Sequence, residues 1–261
     1  ITQNNIQVFL MKIANKKSPP KGRIWRLVRN LILIFFLGSV SWVLIAGFVP
    51  VWFTPLMIIR TVESVFDGET PRNSKKWVPI EEISPNMVQA VVASEDNLFL
   101  EHNGFSFGDI QKAIKHNKNG KRIRGGSTIS QQTAKNVFLW PKRSYVRKGL
   151  EAYFTVLIEL FWSKERIMEV YLNVIEMGDG VYGVQAAAQT YFNKDALQLT
   201  KSQSALIAAC LPNPRKYSAS NPSSYIQRRK SKIVSLMGKI EQVDFDKKKL
   251  TEEKKRKRSK K

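Results

Sequence analysis

From Leu31 to Phe53 no charged side chain interrupts the chain, and this run constrains the fold more than any other feature. A helix of about 20 apolar-dominated residues spans a hydrocarbon core of about 30 Å, so residues 31–53 read as a single transmembrane helix. A secretory signal is the competing reading. The apolar run is longer than the core of such a signal, and no small-residue cleavage pattern follows it. Lys12, Lys16, Lys17, Lys21, Arg23, Arg26 and Arg29 all precede the run with no acid among them. By the positive-inside tendency they place the N-terminus in the cytoplasm and everything after residue 53 on the outer side. Trp42, Trp52 and Phe53 suit anchoring at the interface.

The remainder of the 261 residues has room for one sizeable domain, and a hydrophobic fraction of 43% is enough to build its core. A net charge of +22 invites a nucleic-acid reading. The excess, however, is concentrated outside the patterned region, in the leader and in residues 244–261, where ten Lys or Arg face four acids. No zinc-finger, RNA-recognition or helix-turn-helix signature accompanies it, so nucleic acid is not expected as a partner. The one cysteine, Cys210, lies in an apolar run, and with two histidines it leaves no zinc-type cluster. Any metal would be held by oxygen. The organisation that follows is a basic leader (1–30), the membrane helix (31–53), a membrane-proximal connector (54–83), a folded domain (84–243) and a basic, disordered tail (244–261).

Within 84–243 the apolar spacing is helical throughout, and no period-two alternation of any length appears. Ser84-Pro85 reads as an N-cap with proline at the first helical position; Val88, Val91, Val92 and then Glu95 follow on one stripe. A carboxylate on a buried stripe loses hydration, its pKa rises, and it becomes a candidate general base. The bland alternative is a helix end carrying a few charges. Ser106 to Asp109 has the form of a capping box for a helix ending near Gly120. Gly125-Gly126-Ser127-Thr128 leads into the next helix, and its exposed N–H groups suit phosphate, with Gln131, Gln132 and Lys135 close behind; an ordinary capped helix is the alternative. Ser144 opens a helix with Val146, Leu150, Phe154, Leu157 and Phe161 as its core stripe. Arg147 and Glu151 share another face, where a solvated ion pair is the default reading. Ser163 caps a helix with Ile167, Val170, Tyr171 and Val174 inward, broken at Gly178-Asp-Gly180. Thr200-x-x-Gln203 opens an apolar helix ending at Pro212, and Asn221-Pro222 starts the last one. The domain is expected to be mostly α.

Taken together these residues resemble glycosyltransferase family 51, the peptidoglycan glycosyltransferases, in their monofunctional membrane-anchored form. The resemblance covers about Val78 to Ile240. A Glu-Asp-x-x-Phe-x-x-His-x-Gly motif is met by Glu95, Asp96, Phe99, His102 and Gly104. Gly-Gly-Ser-Thr-Ile-x-Gln-Gln is met by residues 125–132 with Lys135 following. Arg-Lys-x-x-Glu is met by Arg147, Lys148 and Glu151, and a fourth motif by Lys164, Ile167, Tyr171, Leu172 and Asn173. Ser106 stands where the family usually has Asp. The only Ser-x-x-Lys, Ser18 to Lys21, lies in the leader and no Lys-Thr-Gly occurs, so the penicillin-binding domain of larger relatives is not expected.

The resemblance implies a lysozyme-like, mostly helical domain that polymerises lipid II in bacterial cell-wall biosynthesis by inverting transfer to the GlcNAc 4-hydroxyl, releasing undecaprenyl pyrophosphate. It implies Glu95 and Glu151 as catalytic residues. Asp96, Phe99, His102, Ser127, Thr128, Gln132, Lys135, Arg143 and Arg147 are the implied substrate-binding residues, with Asp96 and His102 shaping the site rather than reacting. Glu151 is the candidate ligand for Mg²⁺ or another divalent cation, its alternative role being to orient the cations; no organic cofactor is implied. The implied location is the cytoplasmic (inner) membrane with the catalytic domain on its periplasmic side, and the implied partners are lipid II, the growing glycan strand, the membrane and other wall-synthesis and division proteins. Two readings compete: a glycan-cleaving enzyme of lysozyme type, which would not need Lys135, Arg143 and Arg147, and a catalytically idle envelope scaffold.

Overall fold

A computed structural model describes residues 21–68, 70, 73–106, 108 and 126–246. The expected helix after Ser106, Gly125, the leader before Lys21 and the basic tail beyond Asp246 lie outside the described residues. The chain divides into two compact units, Ile1–Leu44 and Ile45–Lys261.

The first unit is occupied by helix α1, Lys21–Ala46. Its stretch Gly22–Ala46 is long and apolar enough to cross a membrane. The helix is shifted towards the N-terminus relative to the uncharged run. It starts ahead of Arg23, Arg26 and Arg29 and stops at Ala46, because Gly47 and Pro50 cannot prolong it and the amides of Phe48 and Val49 turn back onto the Ile45 carbonyl at 3.0 and 3.1 Å.

The second unit is built almost entirely of short capped helices. Helix α2, Pro55–Phe66, lies in the stretch expected to be a plain connector; Thr54 caps it through the Met57 amide and Pro55 sits in its first turn. Its pattern is hard to read in sequence, since Met57 alone of its apolar residues is buried while Ile58, Val62, Val65 and Phe66 stand exposed. A short strand β1, Ser74–Lys75, follows. Helix α3, Pro85–Glu95, carries the first motif. Ser84 occupies its N-cap position, yet the hydroxyl does not cap: it donates to the Leu199 carbonyl at 2.8 Å and ties the helix start to a distant loop instead.

Helix α4, Ile129–Phe138, opens with a reciprocal Thr128/Gln131 capping box; α5, Tyr145–Phe161, is capped by Ser144 and α6, Lys164–Val174, by Ser163. After α6 the chain forms strands β2, Glu176–Gly178, and β3, Val181–Tyr182, before helix α7, Val184–Phe192. The α6 helix thus ends before the glycines expected to break it. The three strands make one small sheet in the order β1-β3-β2, with β3 parallel to β1 and antiparallel to β2. Strands of two and three residues are too short to print an alternation in the sequence. Helix α8, Lys201–Cys210, has the expected Thr200/Gln203 box. Helix α9, Ser224–Met237, starts after Asn221-Pro222, with Ser223 as its cap.

Two groups of helices make the core. Helices α3, α8 and α9 pack on one another, and α4 packs on α5 and α6. In the second group Phe138 stacks on Phe154 with ring centroids 4.5 Å apart, and Trp162 lies against them. Asn173 of α6 behaves as a strand partner: its side chain accepts from the Val78 amide at 2.9 Å and donates to the Val78 carbonyl at 2.8 Å, fixing the segment that leads into α3. Gly183 is required beside it, since at φ +80 a Cβ would meet the Asn173 carbonyl oxygen at 2.7 Å.

The α5 core stripe departs from expectation. Arg147, Glu151, Phe154, Thr155, Leu157 and Ile158 are buried, whereas Val146 and Phe161 are exposed. The face that carries the ion pair is the inward one.

Candidate active site

Glu95 ends α3 at the seam between the two helix groups. Its side chain is 17% exposed. Gln132 of α4 donates to Glu95 Oε2 at 3.2 Å, and the same amide accepts through its oxygen from Tyr171 of α6 at 3.3 Å. Burial pushes the Glu95 carboxyl above its ordinary pKa and Asp96 adds to the rise, while the Gln132 amide and the charges of Arg229 and Lys135 oppose it. The group is therefore a stronger base than a solvated glutamate, yet it sits among donors that keep the anion tolerable. Tyr171 is fully buried, and burial together with Glu95 and Asp96 holds its phenol well above its ordinary pKa, so it stays a neutral donor.

Asp96 is spent on architecture. Its Oδ2 accepts from the Ile129 amide at 2.9 Å, in the first turn of α4, and both carboxylate oxygens meet His102 Nε2 at 2.9 and 3.0 Å. His102 Nδ1 accepts from the Gly104 amide, so the ring carries its proton on Nε2 and donates it to Asp96. Thr128 Oγ1 donates to the Gly104 carbonyl at 2.7 Å. The first and second motifs are hooked together twice, with Phe99 fully buried between them. Gly104 is needed at this junction: φ is +83, and a Cβ would meet Thr155 Cγ2 at 2.7 Å and Glu159 Cγ at 3.0 Å. Behind it Glu159 accepts from Ser130 and from Lys164 at 2.7 Å, and Lys164 lies over the Phe99 ring.

At the helix terminus expected to cradle phosphate, three amides have partners within the protein. At the start of α4 the Ile129 amide goes to Asp96, the Gln131 amide to Thr128 Oγ1, and the Thr128 amide to Gln131 Oε1. A carboxylate of the protein fills the positive end of the dipole. A group of cations lies further along. A cavity of about 320 Å³ is lined by Gln132, Lys135, Arg143, Arg147 and Tyr171, with Leu56, Leu139, Trp140 and Ile175 as apolar wall and Arg60 and Glu176 also on it. Burial depresses the Lys135 pKa; Glu151 opposes this, while the neighbouring charges of Arg147, Lys148 and Arg143 reinforce it. Such crowding of like charge is unfavourable until a polyanion relieves it.

Glu151 is buried on α5. It accepts from Arg147 Nη1 at 3.2 Å through one oxygen and from Lys148 through the other. With both oxygens engaged by cations, and with Lys135 close by, this donor set does not fit a protein-held divalent cation. Among the described residues no group of three or more His, Cys, Asp or Glu side chains could hold a metal ion. Glu151 is a clamp on Arg147.

Of the residues singled out in the sequence, Gln132, Lys135, Arg143 and Arg147 line the cavity and Glu95 meets it through Gln132; Glu151 stands behind. Asp96, Phe99, His102 and Thr128 form the supporting shell, and Ser127 precedes the α4 cap. The sequence pattern places Tyr171 in the core and does not single out Arg229, Arg60 or Glu176 as site residues.

The Transglycosylase family profile matches residues 62–238, which include Glu95, Gln132, Lys135, Arg143, Arg147, Glu151 and Tyr171. The chain belongs to that family. The chain is 52% identical over 242 residues to a biosynthetic peptidoglycan transglycosylase of Bacteroides thetaiotaomicron, covering 93% of this chain and 98% of the relative. A protein of the same description from Bdellovibrio bacteriovorus is 56% identical over 215 residues, covering 81% and 86%. One from Caulobacter vibrioides is 52% identical over 219 residues, covering 82% and 93%. As a transglycosylase the chain is an enzyme of glycosyl transfer.

Proposed function

We propose that this transglycosylase polymerises lipid II into peptidoglycan glycan strands. The observation that carries the reading is a cavity whose cations, Lys135, Arg143 and Arg147, converge beside a carboxylate base. Glu95 takes the proton of the acceptor's GlcNAc 4-hydroxyl as that oxygen attacks C1 of the donor's MurNAc. The C1–O bond to phosphate breaks with inversion, its electron pair leaving on undecaprenyl pyrophosphate. Pyrophosphate is a good leaving group, so the three cations stabilise the departing charge and no general acid is needed. Gln132 fixes the carboxylate, and Glu151 holds Arg147 in its rotamer. A glycan-cleaving enzyme has no phosphate to bind and no use for this crowding of cations.

The membrane-spanning length of α1 and the cations ahead of its apolar part support a single-pass anchor with the N-terminus in the cytoplasm and the enzyme on the outer face. The exposed apolar side chains of Phe48, Trp52, Phe53 and α2 suit contact with the lipid surface that carries the prenyl-linked substrate. Purified protein in detergent is expected to convert lipid II to polymer, and Glu95→Gln to lower the rate by about 10² or more with the thermal transition unchanged. A folded Glu95→Gln enzyme of normal rate would refute the assignment. A reporter fused after Lys261 is expected to be active outside the cytoplasm; activity confined to the cytoplasm would reverse the topology.

A further inference from the structure

Helix α9 plays no part in the mechanism above, yet it reaches the base. Arg229 extends from α9 so that its Nη2 lies 3.7 Å from Glu95 Oε1. Gln132 occupies Oε2, and among the described residues no hydrogen bond reaches Oε1. Arg229 Nε is buried without a partner, so the side chain is not placed there by its own hydrogen bonding. Its side chain is 29% exposed, and among the described residues the carboxylate within 4 Å of its guanidinium is that of Glu95.

We propose that Arg229 is a positioning residue for the base, holding Glu95 in its anionic form from 3.7 Å while leaving Oε1 open to receive the acceptor's proton. The distance matters. A closer, bidentate guanidinium would occupy the lone pairs and lower the basicity that burial has raised, whereas no cation at all would let the buried carboxyl stay protonated and idle. A charge in van der Waals range with no hydrogen bond between them is intermediate. It also favours loss of the proton from Glu95 after each transfer, which returns the base to its working form. The groups that face Glu95 are Asp96 beside it, Gln132 and Lys135 from α4, Tyr171 from α6 and Arg229 from α9; the Cys210 thiol of α8, which burial pushes up to about 11, stays neutral and adds no charge. Asp96 is committed to Ile129 and His102, and Lys135 belongs to the leaving-group cavity, so Arg229 is the cation outside that cavity that acts on the base.

This rests on Glu95 as the base, and the test separates the two. The pH dependence of kcat/KM for lipid II polymerisation is measured for the wild type, Arg229→Met, Arg229→Lys, Glu95→Gln and the Glu95→Gln/Arg229→Met double variant. Arg229→Met is expected to lose about 10-fold on the acidic limb and less than about 2-fold on the alkaline plateau, with KM unchanged. Arg229→Lys, which keeps the charge, is expected to restore most of the acidic limb. In the Glu95→Gln background the second substitution is expected to add nothing, because Arg229 acts through a carboxylate that is no longer there. A loss uniform across pH, a rise in KM alone, or an acidic limb as displaced in Arg229→Lys as in Arg229→Met would overturn the proposal. A fully active Glu95→Gln enzyme would overturn the base assignment and the proposal with it, and that result is read without reference to Arg229.

Discussion

Replacing Lys135 with Met removes a charge from the cavity while keeping most of the side chain's length, and the structure predicts opposite effects on turnover and on stability. Lys135 lies on the cavity wall with Arg143 and Arg147; burial depresses its pKa, Glu151 opposes this, and the charges of Arg147, Lys148 and Arg143 add to the depression. A charge-assisted contact to a desolvated phosphate contributes about 2–4 kcal/mol, most of it as charge builds on the leaving oxygen, which corresponds to a loss of about 30- to 1,000-fold in kcat/KM on lipid II. The free enzyme, by contrast, is relieved of a crowded cation. Because the folded-state pKa lies below the unfolded value of 10.5, the unfolded chain binds the extra proton at pH values between the two, and Lys135 weakens the fold most below its folded pKa. The variant is therefore expected to unfold at an equal or higher temperature at neutral pH, with the difference from wild type shrinking as pH rises towards 10.5. Radiolabelled or fluorescent lipid II gives the rate, and calorimetry at several pH values gives the stability. A Lys135→Met enzyme with normal turnover, or one whose lost activity simply follows a lowered melting temperature, would refute the argument.

Glu151→Gln leaves the buried Arg147 guanidinium without its counter-ion and is expected to destabilise the domain by about 3–5 kcal/mol in denaturant titration; a change below about 1 kcal/mol would mean that Glu151 is not the clamp described. Gly104→Ala combines a positive φ with a Cβ placed 2.7 Å from Thr155 Cγ2, and is expected to destabilise by about 2–4 kcal/mol in the same measurement, while a Gly104→Ala protein as stable as wild type would show that the junction of the first two motifs relaxes freely.

The helices were legible because their ends are chemically marked. Thr128/Gln131, Ser144, Ser163 and Thr200/Gln203 cap where their spacing says they should, each satisfying an amide that the helix cannot. What failed was the inference from polarity to exposure. On α5 the apolar Val146 and Phe161 are exposed, and Arg147 with Glu151 is inside. Helical periodicity reports that two faces differ; it does not report which face meets solvent when a cavity lies on the polar side. The same reversal hides α2, whose outward apolar residues look in sequence like a continuation of the membrane run. Arg229 was hidden for a different reason. It stands in a run of four cations, Arg228 to Lys232 with Ser231 between them, and nothing local distinguishes the one that turns inward.

The start of α4 shows how a local rule about helix ends meets the tertiary fold. A Gly-Ser-Thr entry to a helix does make an anion site, but an anion site is filled by whichever acceptor the fold brings nearest. Here that acceptor is Asp96, six residues before His102 and one after Glu95. Plugging the terminus with Asp96 does two things at once. It locks the end of α3 to the start of α4, close to the 3.2 Å contact between Gln132 and Glu95, and it sets a carboxylate at the helix terminus while Lys135, Arg143 and Arg147 line the cavity further along. Backbone amides and cations both gain as charge builds on a leaving oxygen. On the proposed mechanism, Lys135, Arg143 and Arg147 interact more strongly with the leaving oxygen as its charge accumulates, and that difference is what converts binding energy into rate.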